Sequence, residues 1–314
     1  MPLYAHQYVA LVGPRVGSNP VIFVPEAFAS ELVRESGEAA RHWLEALPAL
    51  VEQLCERWGV ELVEGHAPRG DWNLVFFARR ADDPCVLKLS YPQQSALDEM
   101  RALAAWGGQG AVGLLEASPD DGALLLERLD DGRSLRALDL FAAAEVAGDL
   151  IRRLTIPAPP GLRRLADLAE ETAETVRSRQ RTLGHPLPAH WVEHAAELAT
   201  GLASDVGADL VHGDLHYDNV LAGTRQPWSA IDPKPVTGNP ERSVPELMWG
   251  RIDDTAHSGE VHTLLAILVD AGNLDHDRAR AWTIVRAVDY WLWGLGASLT
   301  EDPVRCRRLL EVLA

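Results

Sequence analysis

In the stretch VHGDLHYDNVLAG, residues 211–223, Asp214 and Asn219 lie five positions apart, and Asp232 follows eighteen residues after Asp214 in AIDPKP. Three oxygen-bearing groups at these spacings suit one chemistry, the transfer of a phosphoryl group. That reaction needs an acceptor hydroxyl that is held and relieved of its proton, and a Mg2+ ion bridging the phosphates, for which hard oxygen donors are the right ligands. Asp214 fits the base, and Asn219 and Asp232 fit the metal. Any one of them alone is an ordinary loop former, so the argument rests on the three together. His212 and His216 stand at i and i+4, which on a helix would pair them as metal ligands. In a loop that spacing separates the rings, and both are expected to brace the loop through hydrogen bonds.

The elements around the motif support a loop. DLV (209–211), NVLAG (219–223) and WSAID (228–232) are short apolar runs bounded by turn residues, which reads as a loop among small strands. Otherwise this half is helical. LDLFAAAEVAGDLIRRL (138–154) runs to the breaker PAPPG, further helices flank HPLP (185–188), and helical periodicity resumes to the C-terminus. Trp291 and Trp293 in DYWLWGL read as packing residues of these helices.

The first half carries the strands. After helical segments over about 26–58, GVELVEGH (59–66) and WNLVFFARR (72–80) read as a hairpin around APRGD, with PCVLKLS (84–90) as a third strand. Ser95 is the expected N-cap of a helix over 95–106, and GAVGLLEAS (110–118) with GALLLERL (122–129) forms another hairpin. The strand-rich half stops at the polar connection DDGRSL, which sets lobes at 1–130 and 131–314.

Composition narrows the partners. With 46 Asp and Glu against 29 Lys and Arg, a formal charge of −17, the chain would repel nucleic acid and attract a cationic small molecule. Of Asp253, Asp254, Glu260 and Asp289 in the C-terminal half, the two nearest the motif, Asp253 and Asp254, are the candidates to meet such a cation; the plain alternative for each is a solvated face. Three scattered cysteines without a CxxC pair point to a reducing compartment, and no apolar run is long enough to span a bilayer. The expectation is a cytoplasmic protein that uses neither membrane nor nucleic acid; its oligomeric state is not legible.

The spacing of Asp214 and Asn219 resembles the H-R-D-x-x-x-x-N catalytic loop of protein kinases, with Gly213 in place of the arginine. HGDLHYDNVL followed by PWSAIDPKPVTGNP is similar to the aminoglycoside phosphotransferases, in particular their streptomycin 6-kinase branch, grouped with the hydroxyurea-resistance kinases. The similarity runs from about Val24 to Leu295.

The resemblance implies an α+β, bilobal protein-kinase-like fold with a small strand-rich N-lobe, a larger helical C-lobe and ATP or GTP between them. It assigns Asp214 as base, Asn219 and Asp232 to Mg2+, Lys88 to the α and β phosphates, and Glu99 as the partner of Lys88. Backbone groups near Glu127 and Leu129 in LLERLD would meet the adenine edge. The implied acceptor is the 6-hydroxyl of streptomycin, a cationic antibiotic, with resistance as the outcome; hydroxyurea, a peptide antibiotic or a metabolite alcohol are alternatives.

Two departures keep a nucleotide-binding pseudokinase in view. No G-x-G-x-x-G precedes Lys88, and GNPERSV stands where the branch carries a pattern like GDPxFDL, so that Asn239 and Ser243 replace acids. A hydrolase is disfavoured by the lack of a G-x-S-x-G elbow.

Overall fold

The computed structural model describes residues 11–16, 19–66, 73–91, 93–204 and 207–314. They divide into two compact units, one of residues 1–108 and 112–131, the other of 109–111 and 132–314. The first is rich in strands and the second in helices, as the sequence pattern requires.

In the first unit, β1 (Leu11–Val16) and β2 (Asn19–Phe23) pair antiparallel, two strands that the sequence analysis does not anticipate. Helix α1 (Glu26–Trp58) follows, interrupted at Gly37, and buries Phe28, Leu32, Ala40, Leu47, Val51 and Leu54 along one face. Its partner is a five-stranded antiparallel sheet in the order β3-β5-β6-β8-β7. These strands are β3 (Val60–Leu62), β5 (Asn73–Arg80), β6 (Asp83–Ser90), β7 (Leu114–Ser118) and β8 (Ala123–Glu127). Strand alternation puts Leu74, Phe76, Leu87, Leu89 and Leu125 into one core with the α1 face.

The expected hairpin over 59–80 is split. β3 pairs with β5 as anticipated, Val60 opposite Arg80, but β4 (Gly65–His66) pairs with β1 instead. APRGD, with Gly70, lies outside the described residues. Helix α2 (Gln94–Trp106) begins one residue before Ser95, so Ser95 sits in its first turn, and the cap position, Gln93, makes no side-chain bond. DDGRS, expected as a connection, is a strand, β9 (Asp130–Ser134), whose exposed polar residues gave no alternation to read.

The second unit is built on α3 (Leu140–Leu154), α4 (Leu165–Thr182), α5 (Ala189–Ser204), α6 (Val244–Trp249), α7 (Ser258–Gly272), α8 (His276–Gly296) and α9 (Glu301–Leu313). Asp139 caps α3 by accepting from Phe141 N and Ala142 N, the usual N-cap bond. Trp291 and Trp293 are half-buried; Trp291 meets Trp191 at a tilt with ring centroids 5.7 Å apart, and Trp293 stacks on Tyr290 at 5.4 Å, which makes them packing residues. Two small antiparallel pairs frame the motif: β10 (Asp209–Val211) with β13 (Val236–Gly238), and β11 (Val220–Ala222) with β12 (Trp228–Ala230).

Candidate functional site

Lys88 stands on β6 between Leu87 and Leu89, so the alternation that sends those leucines into the core sends it to the opposite face. It is nonetheless 95% shielded from solvent, at 5% exposure, and so is Glu99 on α2. The ammonium donates to both Glu99 oxygens, at 2.7 and 2.8 Å. A buried ion pair brings desolvation costs close to its Coulomb gain, so such a pair is better explained by use than by stability. Glu127, at the end of β8, is already engaged: its Oε1 accepts from Gly113 N at 2.8 Å. The Leu129 carbonyl accepts from Arg128 Nε at 3.2 Å, and that guanidinium lies over the Phe77 ring.

In the second unit the chain leaves β10 at Val211 and enters the motif. Gly213 has φ +75°, and a Cβ placed there would lie 2.0 Å from the Lys234 carbonyl oxygen. Only glycine fits a left-handed position so close to another backbone, which is the physical reason that the arginine of the kinase motif is absent. The segment that blocks it is the one carrying Asp232, and the two are laced together. Lys234 N donates to His212 O at 2.9 Å, and Ile231 N donates to Asn219 O at 2.9 Å. His212 Nε2 lies 3.1 Å from Ile231 O, while Nδ1 accepts from Asp214 N at 3.4 Å. These bonds fit the neutral tautomer with its proton on Nε2. Burial lowers the His212 pKa to about 4, against the opposing pull of Asp214 and Asp232.

Asn219 ends a single helical turn, Tyr217–Asn219, and its Nδ2 donates to Asp214 O at 3.0 Å. The amide orientation is thereby fixed, with Oδ1 as its remaining acceptor. Asp232 adopts φ +54°, an uncommon left-handed conformation for a non-glycine residue and one that clusters at functional sites. Asp214, Asn219 and Asp232 are thus brought together by hydrogen bonds between two consecutive loops.

Of the two histidines, His212 braces the loop as expected and His216 does not. Its buried Nδ1 has no hydrogen-bond partner and lies 3.8 Å from Asp218 Oδ2, too far for a bond. Burial lowers its pKa as well.

The outer side of the motif is held by Arg136, which grips Asp218 with Nε and Nη2 at 2.8 Å each and reaches Gly250 O at 3.2 Å. Asp253 and Asp254 lie on the turn Ile252–Asp254 and are taken up by the chain's own arginines, Asp253 by Arg305 at 2.5 Å and Asp254 by Arg251 at 2.6 Å. Both remain partly exposed. Asn239, where an acid was expected, is buried and accepts from Gly207 N at 2.6 Å.

One residue of the site escapes sequence reasoning. Lys234 Nζ donates to Asp214 Oδ2. The signal was its place two residues beyond Asp232 in AIDPKP, but a lysine in a polar loop reads as solvated.

Comparison with known proteins places these features. Residues 57–295 match the family described as aminoglycoside/hydroxyurea antibiotic resistance kinase. The streptomycin 6-kinase of Streptomyces griseus is 36% identical over 306 residues, 95% of this chain and 99% of that one. The hydroxyurea phosphotransferase of Kitasatospora aureofaciens is 39% identical over 305 residues, 95% of this chain and 87% of that one. Among solved structures, the aminoglycoside phosphotransferase APH(4)-Ia superposes with a TM-score of 0.57 at 16% identity, covering 85% of this chain and 99% of that one. A thermostable mutant of it has been captured in ternary complex with ADP and hygromycin B, with a TM-score of 0.55 at 15% identity, covering 84% of this chain and 98% of that one. That likeness shows the fold.

Proposed function

This chain belongs to the aminoglycoside/hydroxyurea antibiotic resistance kinase family, and from that premise we propose that it transfers the γ-phosphoryl group of ATP to the 6-hydroxyl of streptomycin. The observation that carries the reading is the lacing of the two loops, which puts a base candidate and two oxygen ligands in one hydrogen-bonded assembly.

Asp214 orients the acceptor hydroxyl and takes its proton as the new P–O bond forms. Asn219 Oδ1 and the Asp232 carboxylate suit a hard divalent cation, and Mg2+ bound there would neutralise charge on the phosphates. Among the described residues no group of three or more His, Cys, Asp or Glu could hold a metal ion. Mg2+ takes one or two protein groups and fills its shell with phosphate and water. Lys88, held by Glu99, positions the α and β phosphates, and backbone near Glu127 and Leu129 receives the base. Little of this is covalent chemistry; the residues act by in-line positioning and by fixed charge.

Hydroxyurea is the second reading, favoured by the 39% identity to a hydroxyurea phosphotransferase. Both acceptors are small and rich in N–H donors, and streptomycin adds guanidinium charge that an acidic surface would gather. Because Asp253 and Asp254 already bind arginines, they would contact such a cation only by sharing.

The test is ADP release by the purified chain with ATP and Mg2+, with streptomycin, with hydroxyurea and with neither, beside Asp214→Asn. Streptomycin-dependent release that disappears in the variant supports the reading. Dependence on hydroxyurea alone moves the protein to the second, and ATP binding without release under any acceptor refutes both.

A further inference from the structure

Lys234 is the charged group beside the base that this assignment leaves unused. Its backbone is anchored twice, by its N–H to His212 O at 2.9 Å and by the carbonyl packed against Gly213. From that anchor a side chain 49% exposed brings Nζ onto Asp214 Oδ2. Two further cations act on Asp214, Arg242 and Arg286, and they are of a different kind. Both are bound to the buried Glu246 carboxylate, and Arg286 also to Asp289, so their charges are fixed in place. Lys234 carries its charge on a rotatable four-carbon stem at an accessible edge of the site.

We propose that Lys234 is a further catalytic residue whose ammonium contacts an oxygen of the phosphoryl group in transit. The inference rests on the phosphotransferase reading. If Asp214 takes the acceptor proton, the acceptor oxygen lies about 2.6–3.2 Å from that carboxylate. The phosphorus is then about 3–3.5 Å beyond it at the point of attack. A cation hydrogen-bonded to the same carboxylate is therefore at most roughly 9 Å from the phosphorus, a gap that rotation of its four-carbon stem can close.

In the step, the bond from the γ phosphorus to the bridging oxygen breaks with its electron pair staying on ADP. The acceptor oxygen forms the new bond and its proton passes to Asp214. Negative charge spreads over the three equatorial oxygens of the phosphoryl group, and an ammonium that swings onto one of them from Asp214 stabilises it. The need is sharpened by sequence: no G-x-G-x-x-G turn precedes Lys88 to supply backbone donors to the phosphates.

The experiment uses the full chain with Lys234→Met and Lys234→Arg, measuring ADP release with ATP, Mg2+ and streptomycin or hydroxyurea, together with ADP binding and thermal melting. Loss of one such donor typically costs about 10²–10³ in kcat. The expected result for Lys234→Met is a fall of about 100-fold or more in kcat, with acceptor KM, ADP affinity and melting each close to wild type. Lys234→Arg is expected to recover at least about a tenth of the rate. A Lys234→Met kcat within about threefold of wild type overturns the proposal, as does a fall matched by equal losses of ADP affinity and melting temperature, which marks a structural role. A wild-type chain that releases no ADP with any acceptor refutes the phosphotransferase reading itself, and this inference with it; turnover in wild type and in Lys234→Met alike refutes only this inference.

Discussion

Gly213→Ala should separate backbone strain from collision, because the fold contains a matched control. Gly213 and Gly184 both have φ +75°, but a Cβ at Gly184 meets nothing within 4 Å, whereas one at Gly213 lies 2.0 Å from Lys234 O. The left-handed conformation costs a non-glycine residue about 1–2 kcal/mol, so Gly184→Ala should lose about that much stability and no activity. Gly213→Ala carries the same penalty and must also open a contact that real Cβ atoms hold above 3.0 Å, a displacement of about 1 Å. Overpacking of this kind adds about 1–3 kcal/mol, giving a total of roughly 2–5 kcal/mol. The atoms that must move belong to the segment bearing Asp232 and Lys234, and a 1 Å misplacement of reacting groups costs about 100-fold in rate. Urea denaturation of the two variants and wild type measures the first quantity, and ADP release at a temperature where all are folded measures the second. Equal stabilities for the two variants, with full turnover in Gly213→Ala, would refute the claim that the glycine exists to admit the Lys234 backbone.

Three further outcomes follow from buried charge. Glu99→Gln leaves the Lys88 ammonium buried without its carboxylate and should cost about 3–5 kcal/mol; Lys88→Met combined with Glu99→Gln should regain much of that stability in urea melts while remaining inactive. Glu246→Gln strands Arg242 and leaves Arg286 with Asp289 alone and should lower stability by about 3 kcal/mol, whereas Glu311→Gln, in an exposed pair with Arg307, should change it by under about 1 kcal/mol. His212 titrates at about 4 in the fold against 6.5 in the unfolded chain, so the unfolded state binds a proton that the folded state refuses. Stability from this residue is whole above pH 6.5 and is lost as pH falls toward 4, by about 2 kcal/mol between pH 7 and pH 4.5. Comparing urea midpoints at the two pH values for wild type and His212→Asn checks this, and an unchanged pH dependence in the variant would refute it.

What the sequence disclosed and what it hid have separate causes. Lys88 and Glu99 were named through the family resemblance, since a strand lysine alone reads as snorkelling and a helix glutamate as solvated; the strand and helix directions that join them in a buried ion pair are supplied by the fold. Asp214, Asn219 and Asp232 were legible because their spacing is short and typed. Lys234 was not, since its contact with Asp214 depends on how the 231–234 segment is laced to 212–219, which no local propensity encodes. β1 and β2 were missed because LVGPRV and NPVIF interrupt apolar runs with Gly and Pro, residues that argue against strands. His216 was misread for a similar reason: its sequence neighbours offered partners, but its Nδ1 faces none of them within bonding distance.

The replaced acids at 239 and 243 bear on whether the chain turns over at all. If GNPERSV had lost the charges that organise this region, a binder without catalysis would be the better reading. The segment has instead kept buried carboxylates nearby. Glu241, 3% exposed, accepts from Asp275 N at 2.9 Å and faces Arg278, and Glu246, 2% exposed, binds Arg242 and Arg286. Asn239 secures the neighbouring backbone through Gly207 N, a task for which a neutral amide oxygen suffices. Bracing by backbone bonds needs no charge, whereas the arginines beside Asp214 need their counter-ion, and that counter-ion is present. At position 239 the departure therefore falls on work that a neutral side chain can do, which favours a working transferase.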